Sequence, residues 1–264
     1  MAEMIGAKGL DLSRASLKQY YSTQHKMYQF FATRAWDVCQ LEDDFHGPTL
    51  DAYKWTTGNG AGASAASFVV TAGAANGAIV GTTGTAGDNT AAAVICSGRH
   101  FQGQLNAVIT ARLYIASVVT SVAVEVGFRD AITTTAGAQR VVATKATPTF
   151  TATDGAVWIL DTNDNAYWEG VAVANTTGAT TVEAAISPTA STYEYLQVAL
   201  VGTVAYYSRF DANGRRTYGP VAQAAAVTAT VNLAPFVAIE ARNATSKTCV
   251  VDSIWVYQGI TTSP

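Results

Sequence analysis

Residues 42–55 read Glu42-Asp43-Asp44-Phe45-His46-Gly47-Pro48-Thr49-Leu50-Asp51-Ala52-Tyr53-Lys54-Trp55. Phe45, Leu50 and Trp55 are apolar anchors, and Gly47-Pro48 breaks the backbone between them, so the stretch predicts a first strand with a turn. Its predicted partner lies at the far end of the chain, Val250-Val-Asp-Ser-Ile-Trp-Val-Tyr-Gln258. There Val251, Ser253, Trp255 and Tyr257 alternate with Val250, Asp252, Ile254, Val256 and Gln258, the period of a strand. Trp255 reads as a buried ring of that closing strand, and truncating one costs about 3–5 kcal/mol.

Between these ends, β-type runs alternate with Gly, Asn and Thr turns. Predicted strands are Ser67–Thr71, Ala78–Gly81, Ala92–Ser97, Leu105–Ala116, Ser121–Arg129, Val157–Asp161, Ala166–Ala174, Tyr193–Leu200, Thr203–Phe210, Ala226–Leu233, Pro235–Arg242 and Thr248–Tyr257. Gly58 to Ala66 reads as a flexible connector. In Leu105–Ala116, Leu105, Ala107, Ile109, Ala111, Leu113 and Ile115 share one face. Asn106, Thr110, Arg112 and Tyr114 share the other, so one face is buried and one mostly wet. Many short strands without helical pattern between them predict a sandwich or barrel.

Upstream, Leu10 to His46 contains neither Gly nor Pro. Leu17, Tyr20, Tyr21, Gln24, Met27, Tyr28, Phe31 and Ala35 recur at helical spacing, with Asp11 or Ser13 as a cap, which predicts a helix over about 13–37. Its rings (Tyr20, Tyr21, Tyr28, Phe30, Phe31, Trp36) spill beyond one face. A helix apolar over more than its core-facing side needs a second partner. Either the arm packs across its own sandwich, or it docks on a neighbouring subunit. In the second case Tyr20, Tyr21, Met27, Tyr28, Phe30, Phe31 and Trp36 are the assembly contact. The predicted organisation is an N-terminal helical arm over 1–40 and an all-β sandwich over 41–264.

Only 13% of the 264 residues are charged, against roughly 25% in typical soluble chains. Ala, Thr, Gly and Ser take up the difference. A polar but neutral surface suits packing into a larger assembly, where each exposed Lys or Glu is desolvated at some cost. The net charge of −3 argues against a nucleic-acid partner. No window is apolar over the roughly 18 residues needed to span a bilayer, and the start carries Glu3 and Lys8 with no apolar run behind them. Assembly in a cytoplasm without export is the expectation. Cys39, Cys96 and Cys249 are odd in number and far apart, which predicts buried free thiols rather than a disulfide framework or a zinc site.

The two terminal stretches, D-x-F-x-G-x-x-L-D-x-x-K-W over Asp43–Trp55 and V-D-x-I-x-V-Y-Q over Val251–Gln258, resemble the terminal strands of concanavalin A-like lectin/glucanase sandwiches. The laminarinase-type glucanases are the nearest match. Tyr193–Leu200 followed by Val204–Phe210 and Asp211-Ala-Asn-Gly214 is similar to a back-sheet hairpin of the same group. The resemblance implies a lectin-like jelly-roll β-sandwich. It also makes a demand, because retaining glycosidases need two carboxyl groups about 5–5.5 Å apart. The group supplies them from one strand as Glu-x-Asp-x-x-Glu, and that pattern does not occur here. Glu125 and Asp130 bracket a strand end. Asp161, Asn163, Asp164 and Asn165, followed by Glu169, offer oxygens for Ca²⁺ or make an ordinary tight turn. No catalytic residue, metal ligand or cofactor is assigned.

Aromatic side chains on the β-runs, Trp158, Tyr167, Trp168, Tyr206 and Tyr207, either pack the core or stack a sugar, with Trp158 and Trp168 the possible glycan contacts. The set of features is similar to tailed-bacteriophage virion proteins that carry lectin-like sandwiches. That similarity implies a non-enzymatic structural protein decorating or cementing a capsid. The implied partners are the major capsid protein or other virion proteins and further copies of the chain. The alternative is an adhesin that binds a host-surface glycan, and an active glycanase is the weakest reading.

Overall fold

The computed structural model describes residues 38–59, 67–71, 77–85, 91–116, 118–131 and 140–259. The arm expected over 1–40, with Tyr20, Tyr21, Met27, Tyr28, Phe30, Phe31 and Trp36, lies outside them up to residue 37. Its last residues, from Val38, already belong to a strand.

In chain order the first strands are β1 (Val38–Asp43), β2 (Trp55–Asn59), β3 (Ser67–Val70), β4 (Ile79–Thr82), β5 (Ala91–Cys96) and β6 (Val108–Ile115). There follow β7 (Val122–Arg129), β8 (Val142–Thr144), β9 (Thr149–Phe150), β10 (Gly155–Asp161), β11 (Asn165–Ala174) and β12 (Thr177–Gly178). The last are β13 (Val182–Glu183), β14 (Glu194–Val201), β15 (Val204–Phe210), β16 (Arg216–Gln223), β17 (Ala234–Ala241) and β18 (Thr248–Gly259). They build two eight-stranded antiparallel sheets. Sheet A has the order β16-β15-β14-β6-β18-β4-β3 with β1 also on β18, and sheet B has β12-β11-β10-β7-β17-β5-β2 with β13 on β11. The β8–β9 hairpin stands apart. The chain is a lectin-like β-sandwich, as the terminal motifs imply.

The core lies between the sheets. From sheet A, Ile109, Ala111, Leu113, Leu196, Val198, Val251, Ile254 and Val256 are fully buried. Val124, Val126, Phe128, Trp158, Leu160, Val237 and Ile239 meet them from sheet B. Each large apolar side chain so placed stabilises by about 1.5–3 kcal/mol relative to exposure. On β6 the predicted alternation holds: Ile109, Ala111, Leu113 and Ile115 are buried, while Thr110, Arg112 and Tyr114 are partly exposed. Gly170 leaves the room that the Tyr207 ring fills, since a Cβ there would sit 2.7 Å from that ring.

The two terminal motifs are adjacent, β1 pairing with β18 from Val38↔Gly259 to Asp43↔Ile254. The first is not a strand with a turn but a crossover from sheet A to sheet B. Asp43 ties it: its carboxylate accepts hydrogen bonds from the Phe45 amide and the Trp55 indole, both at 2.8 Å. Asp51 holds the return, its carbonyl accepting from the Lys54 and Trp55 amides at 3.0 and 2.8 Å. Phe45 and Trp55 meet at 6.0 Å between ring centres and are buried.

On the closing strand the simple alternation breaks. Asp252 is a bulge, so Val251 lies opposite Leu113 while Ser253 lies opposite Arg112. Val251, Ile254 and Val256 therefore face the core, and Ser253, Trp255 and Tyr257 turn outward. Trp255, expected to be buried, is only partly covered.

Three further expectations change. Ala226–Leu233 is a loop, plugged into the core by Ala226 and Val227. Its amides are held outside any ladder, Ala226 N–H donating to the Thr203 carbonyl and Thr228 N–H to Asp154. Gly58 and Asn59 are not connector but the end of β2, paired with Ala93 and Ala92. β16, which the sequence hides behind Gly219-Pro220, is the edge of sheet A, where a strand tolerates proline.

Candidate functional site

The two outer faces of the sandwich carry the chemistry. On sheet B the register gathers carboxylates that are far apart in sequence. Glu125 on β7 lies opposite Ile159 on β10, which lies opposite Glu169 on β11. One row further, Ala123 on β7 lies between Asp161 on β10 and Glu240 on β17. Opposed residues share a face, so Glu125, Asp161, Glu169 and Glu240 converge.

All four are covered. Their exposures run from 0% for Glu125 to 8% for Glu240. The segment around β8 closes over them with its own donors. Glu125 accepts hydrogen bonds from the Val141 and Val142 amides at 2.6 and 3.1 Å. Arg140 lies 2.9 Å from Glu240, 3.6 Å from Asp161 and 4.0 Å from Glu125. Arg242 pairs with both Asp161 and Glu240. Lys145 reaches Glu169 at 3.2 Å and donates to the Asn165 side chain and the Tyr167 carbonyl at 2.7 and 2.8 Å. Burial pushes the Glu125 carboxyl up to about 7, against the opposing pull of Arg140, the two amides and Arg129.

Within the Asp161–Glu169 stretch, Thr162–Asp164 makes a tight turn between β10 and β11, and Glu169 lies further along β11. Asp161 accepts from the Asn163 amide at 3.2 Å, and the positive charges on its carboxylates are Arg and Lys side chains of the chain itself. Among the described residues no three or more His, Cys, Asp or Glu side chains are placed so that they could hold one metal ion. Cys96 and Cys249 are buried, and burial pushes the Cys249 thiol up to about 12, far from a reactive thiolate.

The possible glycan contacts Trp158 and Trp168 are both fully buried, so neither offers a ring face to a sugar. The Trp158 indole donates to the Gln197 and Ser208 carbonyls across the core at 3.0 and 3.2 Å. The ring meets Tyr207 and Tyr218 edge-on. The Trp168 indole donates to Glu194, itself paired with Arg209. A readable signal existed: Ala156–Leu160 is apolar throughout, the signature of a strand covered on both faces.

Sheet A carries a second set of aromatics on its outer face. Tyr114, Tyr193, Tyr195, Trp255 and Tyr257 are all partly exposed. Tyr195 and Trp255 stack at 6.1 Å with 18° between planes, and Tyr114 meets Tyr193 edge-on at 4.7 Å. Arg112 lies between them, 3.8 Å above the Tyr193 ring and 5.7 Å from that of Tyr195, with Asp252 at 2.9 Å. Polar groups border the rings: Glu42 accepts from the Tyr257 hydroxyl, and Gln197 donates to Thr110 at 2.9 Å. The sequence offered the pieces, Tyr193, Tyr195 and the outward Tyr114, but not their meeting with Trp255, which depends on the bulge at Asp252.

No protein-family model and no curated protein sequence matches this chain. Solved structures do. A protein of unknown function from Shewanella oneidensis MR-1 superposes with a TM-score of 0.59 at 12% identity, covering 86% of this chain and 89% of that one. The lectin UEA-II, solved with galactose, gives 0.55 at 9% identity over 83% and 98%. A structure from a study of endo-acting O-glycanases of the human gut microbiota gives 0.54 at 8% identity over 83% and 98%. At such identities the likeness is one of fold, and that fold is the lectin-like β-sandwich.

Proposed function

We propose that this chain is a non-enzymatic carbohydrate-binding module. One observation carries the reading: its acidic face is occupied by its own cations, while its aromatic face is open. On sheet B none of the four carboxylates described above is free to protonate a leaving group or attack a sugar, because Arg140, Arg242, Lys145 and two backbone amides already hold them. On sheet A, partly exposed rings lie beside amide, carboxylate and guanidinium groups. A sugar needs that combination, with ring faces for its C–H side and polar groups for its hydroxyls. The shared fold of UEA-II, a lectin solved with galactose, agrees with this reading. The test is a glycan array run beside a reducing-sugar assay. Retention on at least one glycan with no release of reducing ends is the expected result, and release would return the chain to the hydrolases.

A second reading concerns where such a module works. The charge-poor composition and the six rings between Tyr20 and Trp36 favour a structural protein of a phage particle. In this reading the chain decorates or cements the capsid, anchored by its N-terminal segment to virion proteins or further copies of itself. Tyr28→Asp with Phe31→Asp then leaves the sandwich folded, by circular dichroism, and abolishes co-sedimentation with particles lacking the protein. Wild-type co-sedimentation of the double variant would remove the anchor.

A further inference from the structure

We infer that the carbohydrate contact lies on the outer face of sheet A, around Arg112 between Tyr193, Tyr195 and Trp255, and that its ligand is a neutral glycan. The inference rests on the carbohydrate-binding reading and gives it a place.

Three observations converge there. The rings come from separate strands, Tyr195 from β14 and Trp255 from β18, with Arg112 from β6 between them. Nothing in their own strand pairing requires them to be aromatic, because the same face is polar at Thr110 and Gln197. Two polar atoms at the base of the cluster are also unmatched. Ser253, opposite Arg112 in the ladder and 2% exposed, makes no hydrogen bond through its hydroxyl among the described residues, and neither does Nε of Arg112. A buried polar atom left without a partner costs about 1–3 kcal/mol. The Arg112 side chain is 23% exposed and its residue lies directly opposite Ser253, so its movement would open both atoms to a ligand hydroxyl.

Charge selects among glycans. Arg112 is the cation of the cluster, and Asp252 already neutralises it at 2.9 Å. Glu42 adds a further negative charge beside Tyr257. An anionic sugar would face net repulsion, whereas a neutral pyranose presents only C–H faces to the rings and hydroxyls to Ser253, Arg112 and Glu42. Such a face is open along the strands, so it suits an extended chain of sugars rather than a single residue.

The experiment uses the full chain and a panel of soluble polysaccharides: β-glucan, α-mannan and galactan as neutral probes, polygalacturonate and heparin as anionic ones. Binding is read by affinity electrophoresis and by tryptophan fluorescence. At least one neutral probe binds, and neither anionic probe does. Trp255→Ala and Tyr195→Ala each weaken that binding at least ten-fold, Trp255→Phe keeps most of it, and Tyr53→Ala, at a site 97% exposed elsewhere, changes nothing. Folding of each variant is checked by its thermal transition. If a neutral probe binds and folded Trp255→Ala and Tyr195→Ala bind as well as wild type, the site is wrong and the carbohydrate reading stands. Binding confined to the anionic probes overturns the neutral-ligand assignment. If no probe binds, but removal of residues 1–37 uncovers binding, the face is the dock of the chain's own N-terminal segment. Binding to nothing in either form overturns the carbohydrate reading itself.

Discussion

On the outer face of sheet B, Glu125 holds two backbone amides and Arg140 bridges three carboxylates, and none of these acids is more than 8% exposed. On the outer face of sheet A, Arg112 has a single carboxylate partner and lies over rings that remain partly in water. Both faces place charge on a β-sheet, yet the two arrangements serve different ends. Burying a carboxylate costs several kcal/mol unless it is paired, so the sheet B residues are committed to one another. Partly exposed rings and a guanidinium with one carboxylate partner carry less of that commitment. They can exchange water for a ligand without dismantling the fold. A face rich in acids is therefore not by itself a catalytic face, and here the acids serve the structure.

The largest test of this contrast is Arg140→Met. Methionine fills much of the same volume but leaves Glu125, Asp161 and Glu240 without their shared cation. Breaking a buried ion pair from one side costs about 3–5 kcal/mol. Chemical denaturation should show a loss of that size. A loss below about 1 kcal/mol would mean that water already reaches the network, and the sealed face would have to be reconsidered as a site.

Next in size is the pH dependence set by Glu125. Its carboxyl is raised from 4.5 to about 7 by burial, despite Arg140, the Val141 and Val142 amides and Arg129. The folded chain thus binds that proton more tightly than the unfolded one. Its contribution to stability is complete below about pH 4.5 and is lost as pH rises towards 7. At 1.36 kcal/mol per unit the span is at most about 3 kcal/mol. Glu125→Gln removes the titration, so the difference in unfolding free energy between wild type and variant should slope across this window and flatten above it. Parallel pH profiles would show that Glu125 stays ionised and the seal is purely electrostatic.

How far the sequence carried these faces differs between them. The sandwich was legible because β6 alternates cleanly and because Asp43, Asp51 and Trp55 hold a local crossover whose spacing is visible in the chain. The acidic network was not legible. Each of its carboxylates comes from a different strand, β7, β10, β11 or β17, so no short spacing announces it. The aromatic face was half legible, since Tyr195 and Tyr114 lie on strands read correctly and Tyr193 directly precedes one. Trp255 was misplaced because one bulged residue, Asp252, shifts the phase of everything after it. Ala226–Leu233 misled in the opposite way: its apolar residues are buried, but as a plug whose backbone bonds to Thr203 and Asp154 rather than to a neighbouring strand.

The smallest expected effect decides whether the two faces differ at all. Trp158→Ala removes a fully buried ring and its indole hydrogen bonds across the core, and should cost about 3–5 kcal/mol. Trp255→Ala removes a ring of the same size from the outer face of sheet A. That ring is partly in water already, and its defined contact is the stack on Tyr195, worth about 0.5–1.5 kcal/mol. The β18 backbone keeps β6 on one side and β1 on the other, since neither ladder uses the side chain. The expected loss is therefore about 1 kcal/mol, near the stacking term alone. Denaturant titrations of the two variants in the same buffer measure the ratio directly. If Trp255→Ala proved as damaging as Trp158→Ala, the outer face of sheet A would be core in solution, covered by the N-terminal segment or by another copy. The open face would then be an interface, and the assembly reading would take the place of the glycan.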